Sequence, residues 1–203
     1  LFNHFMVGLP LSISKEKRRD FQRAFDYDTI DDQNASCEII TDACNIFSNI
    51  WGFDSLSFVA PNYFWDDNIE KCLNDNSVKF IKGQRAQFLT DFKGHYEARY
   101  HFTGQHTKLD QVYLVRNCYF EPTFNPKLDW TDKCLNEVAN SFLWHKPAII
   151  STHRVNYVGG IKPENRDRGL HELSKLLSTI IKKWPDVEFM STDKLVNLIT
   201  KTS

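Results

Sequence analysis

Short apolar runs that alternate with helically periodic segments are the feature that most constrains this chain. Ser55–Ala60 reads as a strand closed by Pro61, Val78–Ile81 as a short strand ending at Gly83, and Val112–Val115 as a strand within QVYLVRN. Pro147–Ser151 (PAIIS) is a continuous apolar run of the kind that buried parallel strands show, and Val187–Met190 is a last short strand. Helical patterns lie between them. From about Ala35 to Trp51, Ile39, Ile40, Ala43, Phe47 and Ile50 recur at helical spacing, with Gly52 as the C-cap. Asp66–Asn76 puts Ile69, Cys72 and Leu73 on one face, and Asp129 or Thr131 can cap a helix to about His145. Helices over Arg166–Trp184 and Thr192–Ile199 follow, the last capped by Ser191. Strand and helix in alternation predict an α/β fold with a parallel sheet covered by helices. About five strands are too few for a standard closed barrel, so the sheet is open or the barrel is incomplete at its N-terminus.

At 203 residues, with no repeat, low-complexity tract or Gly/Ser/Pro-rich linker, the chain is expected to be a single domain, 1–203. A formal net charge of −1 argues against a nucleic-acid or anionic-membrane partner, and no apolar run approaches the ~20 residues of a membrane span. Aromatic residues make up 14% of the chain, which excludes disorder. The five cysteines, Cys37, Cys44, Cys72, Cys118 and Cys134, are widely spaced with no CxxC pair. They are expected to be reduced and mostly buried, which favours a reducing compartment and the cytoplasm. The chain starts at Leu1, so the beginning reads as a cut. A helical piece over Lys15–Phe25 is expected, with Lys15–Asp20 as a solvated face.

In a parallel α/β fold, function gathers where strands end. Here the strand ends carry Asn62 and Tyr63 after the first, Arg85 after the second, and Arg116, Asn117 and Glu121 after the third. His153, Arg154 and Asn156 follow PAIIS. Flat aromatic faces mixed with Asn, Arg and Glu suit a sugar, which offers an apolar ring face and a hydroxyl edge. The alternative is that such loops are polar in any fold and their aromatics pack on neighbouring helices. His153 is the sharpest single residue, because an imidazole at a strand end can exchange a proton near neutral pH or ligate a metal. A histidine simply hydrogen-bonded to a neighbouring loop is the other reading. The polar stretch Thr90–Leu109, with His95, His101 and His106, is expected to be a long solvated excursion. No phosphate-binding glycine loop, nucleophile elbow or dinucleotide fingerprint is present, and Gly159-Gly160 reads as a turn.

Lys146–Tyr157 (KPAIISTHRVNY), Asn165–Gly169 (NRDRG) and Trp184–Met190 (WPDVEFM) together resemble the C-terminal part of polysaccharide deacetylase-like proteins. Phe58–Tyr63 (FVAPNY) and Tyr113–Pro122 (YLVRNCYFEP) are similar to the same bacterial branch of that superfamily. The likeness runs from about Phe25 onward. It implies an irregular (β/α) barrel lacking its first strands, and a hydrolase that removes N- or O-acetyl groups from a poly- or oligosaccharide. It implies a divalent ion, zinc or similar, held by an aspartate and two histidines, a second aspartate as base, and a late-strand histidine as acid. Carried onto this chain, the acid is His153, with Glu121 orienting it, and His4 is the last member of the metal-binding motif. Asn62, Tyr63, Arg85, Arg116, Asn117, Glu121, Arg154 and Asn156 would line the sugar rim. The chain departs from the family in three places. Asp31-Asp32 has no strand before it, Val59 stands where an arginine orients the base, and Ser151 stands where a leucine shapes the acetyl pocket.

Three readings follow: a carbohydrate deacetylase, a catalytically silent homologue that keeps a sugar-binding rim, and a fragment in which the fold alone survives. A barrel without its first strands exposes open edges. The chain is therefore expected to self-associate, to cover the edge with Leu1–Leu11, or to have the missing strands upstream.

Overall fold

The computed structural model describes residues 24–93 and 95–201. Most of the expected Lys15–Phe25 helix, the Lys15–Asp20 run, His4 and Leu1–Leu11 lie outside the described residues. The remainder divides into two compact units, residues 24–115 with 196–201, and Arg116–Leu195.

In the first unit, α1 (Ile30–Trp51) begins at a reciprocal cap. Thr29 Oγ1 accepts from Asp32 N at 3.1 Å, and Asp32 Oδ2 accepts from Thr29 N at 3.1 Å. The sequence reading started this helix at Ala35 and missed that box. α1 ends where Gly52 takes the left-handed conformation at φ 74°, its N–H bonded to Ser48 O at 2.8 Å. α2 (Asp67–Asp75) is capped by Asp66, whose Oδ1 accepts from Ile69 N at 2.9 Å. Strands β1 (Ser57–Val59), β2 (Phe80–Gly83) and β5 (Val112–Val115) form a parallel sheet in the order β1-β2-β5, with Ile81 beside Tyr113. Phe25, Tyr27, Ile40, Trp65, Ile69, Leu73, Ile81 and Tyr113 share one core between this sheet and the two helices. Gly83 lets Trp65 lie on the sheet, since a Cβ there would come within 3.3 Å of the indole.

The excursion expected over Thr90–Leu109 instead contains strand at Thr90 and Tyr96–Tyr100. β3 (Ala86–Thr90) and β4 (Tyr96–Tyr100) form an antiparallel hairpin, with Phe88 opposite Ala98. Its turn is set by Asp91 Oδ1, which accepts from Lys93 N at 2.8 Å and from His95 N at 3.0 Å. His101, expected in solvent, is buried. Its Nε2 is 2.6 Å from Gln87 Oε1 and its ring stacks on Tyr113 at 3.7 Å between centroids. Burial lowers its pKa.

The cysteines are not all reduced. Cys37 of α1 and Cys72 of α2 form a disulfide with Cα atoms 5.6 Å apart, leaving Cys44, Cys118 and Cys134 as free thiols. α1 and α2 pack against each other, which brings two half-buried positions distant in the chain into bonding range.

In the second unit, β6 (Cys118–Tyr119) and β7 (Ile150–Ser151) pair in parallel. α3 (Trp130–Leu143) starts at Asp129, whose Oδ1 accepts from Asp132 N at 2.8 Å, which decides between the two expected caps. α4 (Pro163–Lys183) begins with proline at its first position, where a missing N–H costs nothing. Thr131 Oγ1 ties α3 to α4 through Glu172 Oε2 at 2.8 Å. Val187–Met190, expected as a strand, is not one, and α5 (Thr192–Lys201) closes the described chain. Among the described residues the strands form three small sheets, none of which closes on itself. Among the described residues no helix is long and apolar enough to cross a membrane.

Candidate functional site

The second unit sets two loop residues side by side through strand register. Tyr119 of β6 pairs with Ser151 of β7, and Phe120 N bonds Ser151 O at 3.0 Å. Two residues beyond each paired position come Glu121 and His153, so parallel pairing places both at the same carboxyl edge. Their side chains meet, His153 Nδ1 lying 2.6 Å from Glu121 Oε1. The backbone N–H of His153 adds a longer bond to Glu121 Oε2 at 3.4 Å. Glu121 is buried, its side chain 6% exposed, whereas that of His153 is 58% exposed.

This asymmetry has a chemical consequence. A carboxylate can only accept, so the bond to Glu121 requires the proton on Nδ1 and leaves Nε2 as the lone-pair nitrogen of the neutral ring. A buried carboxylate thus holds the Nδ1 edge of an imidazole whose side chain is largely exposed.

Asn156 completes the arrangement from inside the 3-10 turn Arg154–Asn156 that follows His153. It is fully buried, and its Nδ2 donates to Glu121 Oε2 at 2.8 Å and to His153 O at 2.9 Å. Its Oδ1 accepts from Thr123 N at 2.9 Å, locking the loop that carries Glu121. The turn can sit this deep because α4 presents Gly169 to it. A Cβ at Gly169 would lie 1.8 Å from Asn156 O. Beside the turn, Thr152 Oγ1 and Tyr157 Oη share a hydrogen bond at 2.8 Å, and burial raises the Tyr157 hydroxyl pKa.

Of the sequence-predicted residues, Glu121, His153 and Asn156 come together, with Arg154 exposed in the same turn. Arg116 is half-buried at the start of this unit. Asn117 is engaged structurally: its Nδ2 donates to Pro147 O at 2.9 Å and its Oδ1 accepts from Ile149 N at 2.7 Å, fixing the approach to β7. Asn62, Tyr63 and Arg85 belong to the first unit. Asn62 and Tyr63 both take positive φ, 50° and 64°, directly after β1, a costly pair for non-glycine residues. The guanidinium of Arg85 lies over the Tyr100 ring at 5.7 Å.

The first unit holds a second polar cluster that the sequence reading missed. Glu70 Oε1 accepts from Tyr113 Oη at 2.5 Å and from Trp65 Nε1 at 3.0 Å in the buried interior. Burial raises the Glu70 carboxyl pKa, and it raises that of the Tyr113 hydroxyl as well. Asp67, one turn away, is held below its ordinary range by a hydrogen bond from Arg99 at 2.5 Å. The position of Glu70 on the same helix as Ile69 and Leu73 was the available signal, since a Glu at that spacing faces inward.

The metal implied by the resemblance finds no donor set among the described residues. Among the described residues no group of three His, Cys, Asp or Glu converges, and His4 lies outside them. What this centre can do with its own groups is orient one histidine and move a proton at Nε2. No protein-family model, curated protein or solved structure matches the chain.

Proposed function

We propose that the second unit carries the acid–base centre of a carbohydrate-active hydrolase resembling polysaccharide deacetylases, one that acts on N- or O-acetyl groups of a poly- or oligosaccharide. The observation that supports this reading is the Glu121–His153 pair, a buried carboxylate behind an accessible imidazole at adjoining strand ends. In its imidazolium form, with Nδ1–H held by Glu121, His153 is the general acid, giving the Nε2 proton to the departing sugar nitrogen or oxygen and returning to the neutral ring. Glu121 and Asn156 are positioning residues, and Arg154 is placed to contact sugar hydroxyls.

A second reading is a sugar-binding protein without turnover. It is favoured by Ser151, buried at the end of β7 where the resemblance calls for an acetyl-pocket leucine. One experiment separates the two: acetate release from acetylated chitooligosaccharides, with and without added zinc, cobalt or nickel, alongside calorimetric binding. Release that falls about 10²–10⁴-fold in His153→Ala supports the enzyme. Binding without release supports the second reading, and neither binding nor release removes the carbohydrate assignment.

A further inference from the structure

The β3–β4 hairpin forms a sheet of its own, and a buried histidine at its foot ties it to the rest of the first unit. His101, the residue after β4, is 5% exposed. Its ring lies on Tyr113 at 3.7 Å between centroids, and its backbone N–H donates to Arg85 O at 2.8 Å. The bonds around Gln87, which is fully buried, fix the tautomer of that ring. Gln87 Nε2 donates to Trp65 O at 2.8 Å, so its Oε1 is the accepting atom, and His101 Nε2 donates to it at 2.6 Å. The proton on Nε2 leaves Nδ1 bare, and this nitrogen is buried with no hydrogen-bond partner among the described residues. A neutral ring fits this setting. The imidazolium would bring a charge and a second N–H to a place with no acceptor.

We propose that His101 makes the hairpin an acid-released latch, in which protonation of the ring frees β3 and β4 from Trp65 and Tyr113 while the parallel sheet stays folded. Facing the ring are Tyr113 of β5, Trp65 ahead of α2, Gln87 of β3, Arg99 of β4 and Gln105 beyond it. Burial holds the ring neutral below its ordinary range, and the Arg99 charge acts in the same sense against the opposing Gln105 side chain. The hairpin's hold through His101 is therefore full above the ordinary value of 6.5 and is lost as the pH falls toward the folded value. Its other ties do not change in mild acid. Trp65 N donates to Phe88 O at 3.3 Å, and Asp67, which pairs with Arg99 and Lys108, is kept ionised by those partners. Glu70, bonded to Tyr113 and Trp65, acts with the opposite sign, since its raised carboxyl gains stability as the pH falls. That leaves His101 as the group that loosens the hairpin.

The test is hydrogen exchange of the full chain from pH 8 to pH 5, corrected for intrinsic rates, beside His101→Gln. In wild type, opening over 86–101 is expected to rise by up to about 30-fold at pH 5, the ceiling that an ordinary value of 6.5 allows, while 112–115 stays protected. His101→Gln can keep the bond to Gln87 and is expected to show no such rise. Proton NMR of wild type reads the ring directly, and the Cε1–H signal of the closed hairpin is expected to keep its neutral position down to pH 5. Equal pH slopes in wild type and variant would overturn the proposal. So would a rise shared by 112–115, which is unfolding of the whole unit, or a ring that titrates near 6.5 with the hairpin still protected.

Discussion

Glu121 and His153 are 32 residues apart in the chain and 2.6 Å apart in the structure, because each follows its partner strand by the same two residues. A carboxylate that only accepts fixes the protonated nitrogen as Nδ1. Nitrogen-15 NMR of the neutral wild-type ring is therefore expected to show Nδ1 protonated and Nε2 bare. Glu121→Gln, which can donate as well as accept, is expected to give mixed tautomers. If acetate release is present, it should fall on the order of 10²-fold in that variant. A wild-type ring protonated at Nε2 would remove the positioning role of Glu121.

Gly169 is where the scaffold and the site press closest. Gly169→Ala would bring a methyl group to 1.8 Å from Asn156 O, so α4 or the 3-10 turn must move. The expected cost is about 3 kcal/mol, or a melting temperature lower by about 6–12 °C. The same variant should release Asn156 and speed hydrogen exchange over 152–157. Unchanged stability would show that the close approach is not maintained in solution.

The Cys37–Cys72 bridge closes a loop with a sequence separation of 35, for which the chain-entropy account gives about 3–4 kcal/mol. Intact protein unfolded without reductant is expected to show three reactive thiols, and five after reduction. In the folded protein burial pushes Cys118 up to about 11 and Cys134 up to about 12, so both should resist alkylation at pH 8. Five reactive thiols in the unreduced, unfolded chain would contradict the bridge.

Glu70 predicts a pH slope. Burial raises its carboxyl above the ordinary value of 4.5, so the folded state holds that proton more tightly than the unfolded chain. Its contribution to stability is full below 4.5 and is lost as the pH rises through the folded value. Glu70→Gln removes this titration. Urea unfolding from pH 4 to pH 7 is expected to show wild type losing ground to the variant as the pH rises. Parallel curves would place Glu70 in a more solvated setting.

The parts legible in the sequence are those that short-range physics decides. The stop at Gly52 follows from a left-handed position that glycine fills at least cost, and Asp66 and Asp129 cap their helices with hydrogen bonds only three residues long. The hairpin Ala86–Tyr100 was not legible, because its half-exposed strands mix polar and aromatic residues and gain regularity only by pairing. Val187–Met190 shows the converse: strand-like residues with no strand pairing stay irregular.

His153 stood out from the sequence as a histidine beyond a buried strand, and that position was set by local pattern. Its partner was not set there. The choice of Glu121, the burial of Asn156 between them, the need for glycine at 169 and the joining of Cys37 to Cys72 all depend on which distant segments come to lie side by side. Local sequence determined the stop at Gly52 and the caps at Asp66 and Asp129. Only tertiary structure decided which strand ends adjoin, because register and helix packing are settled by the whole unit burying its apolar surface at once.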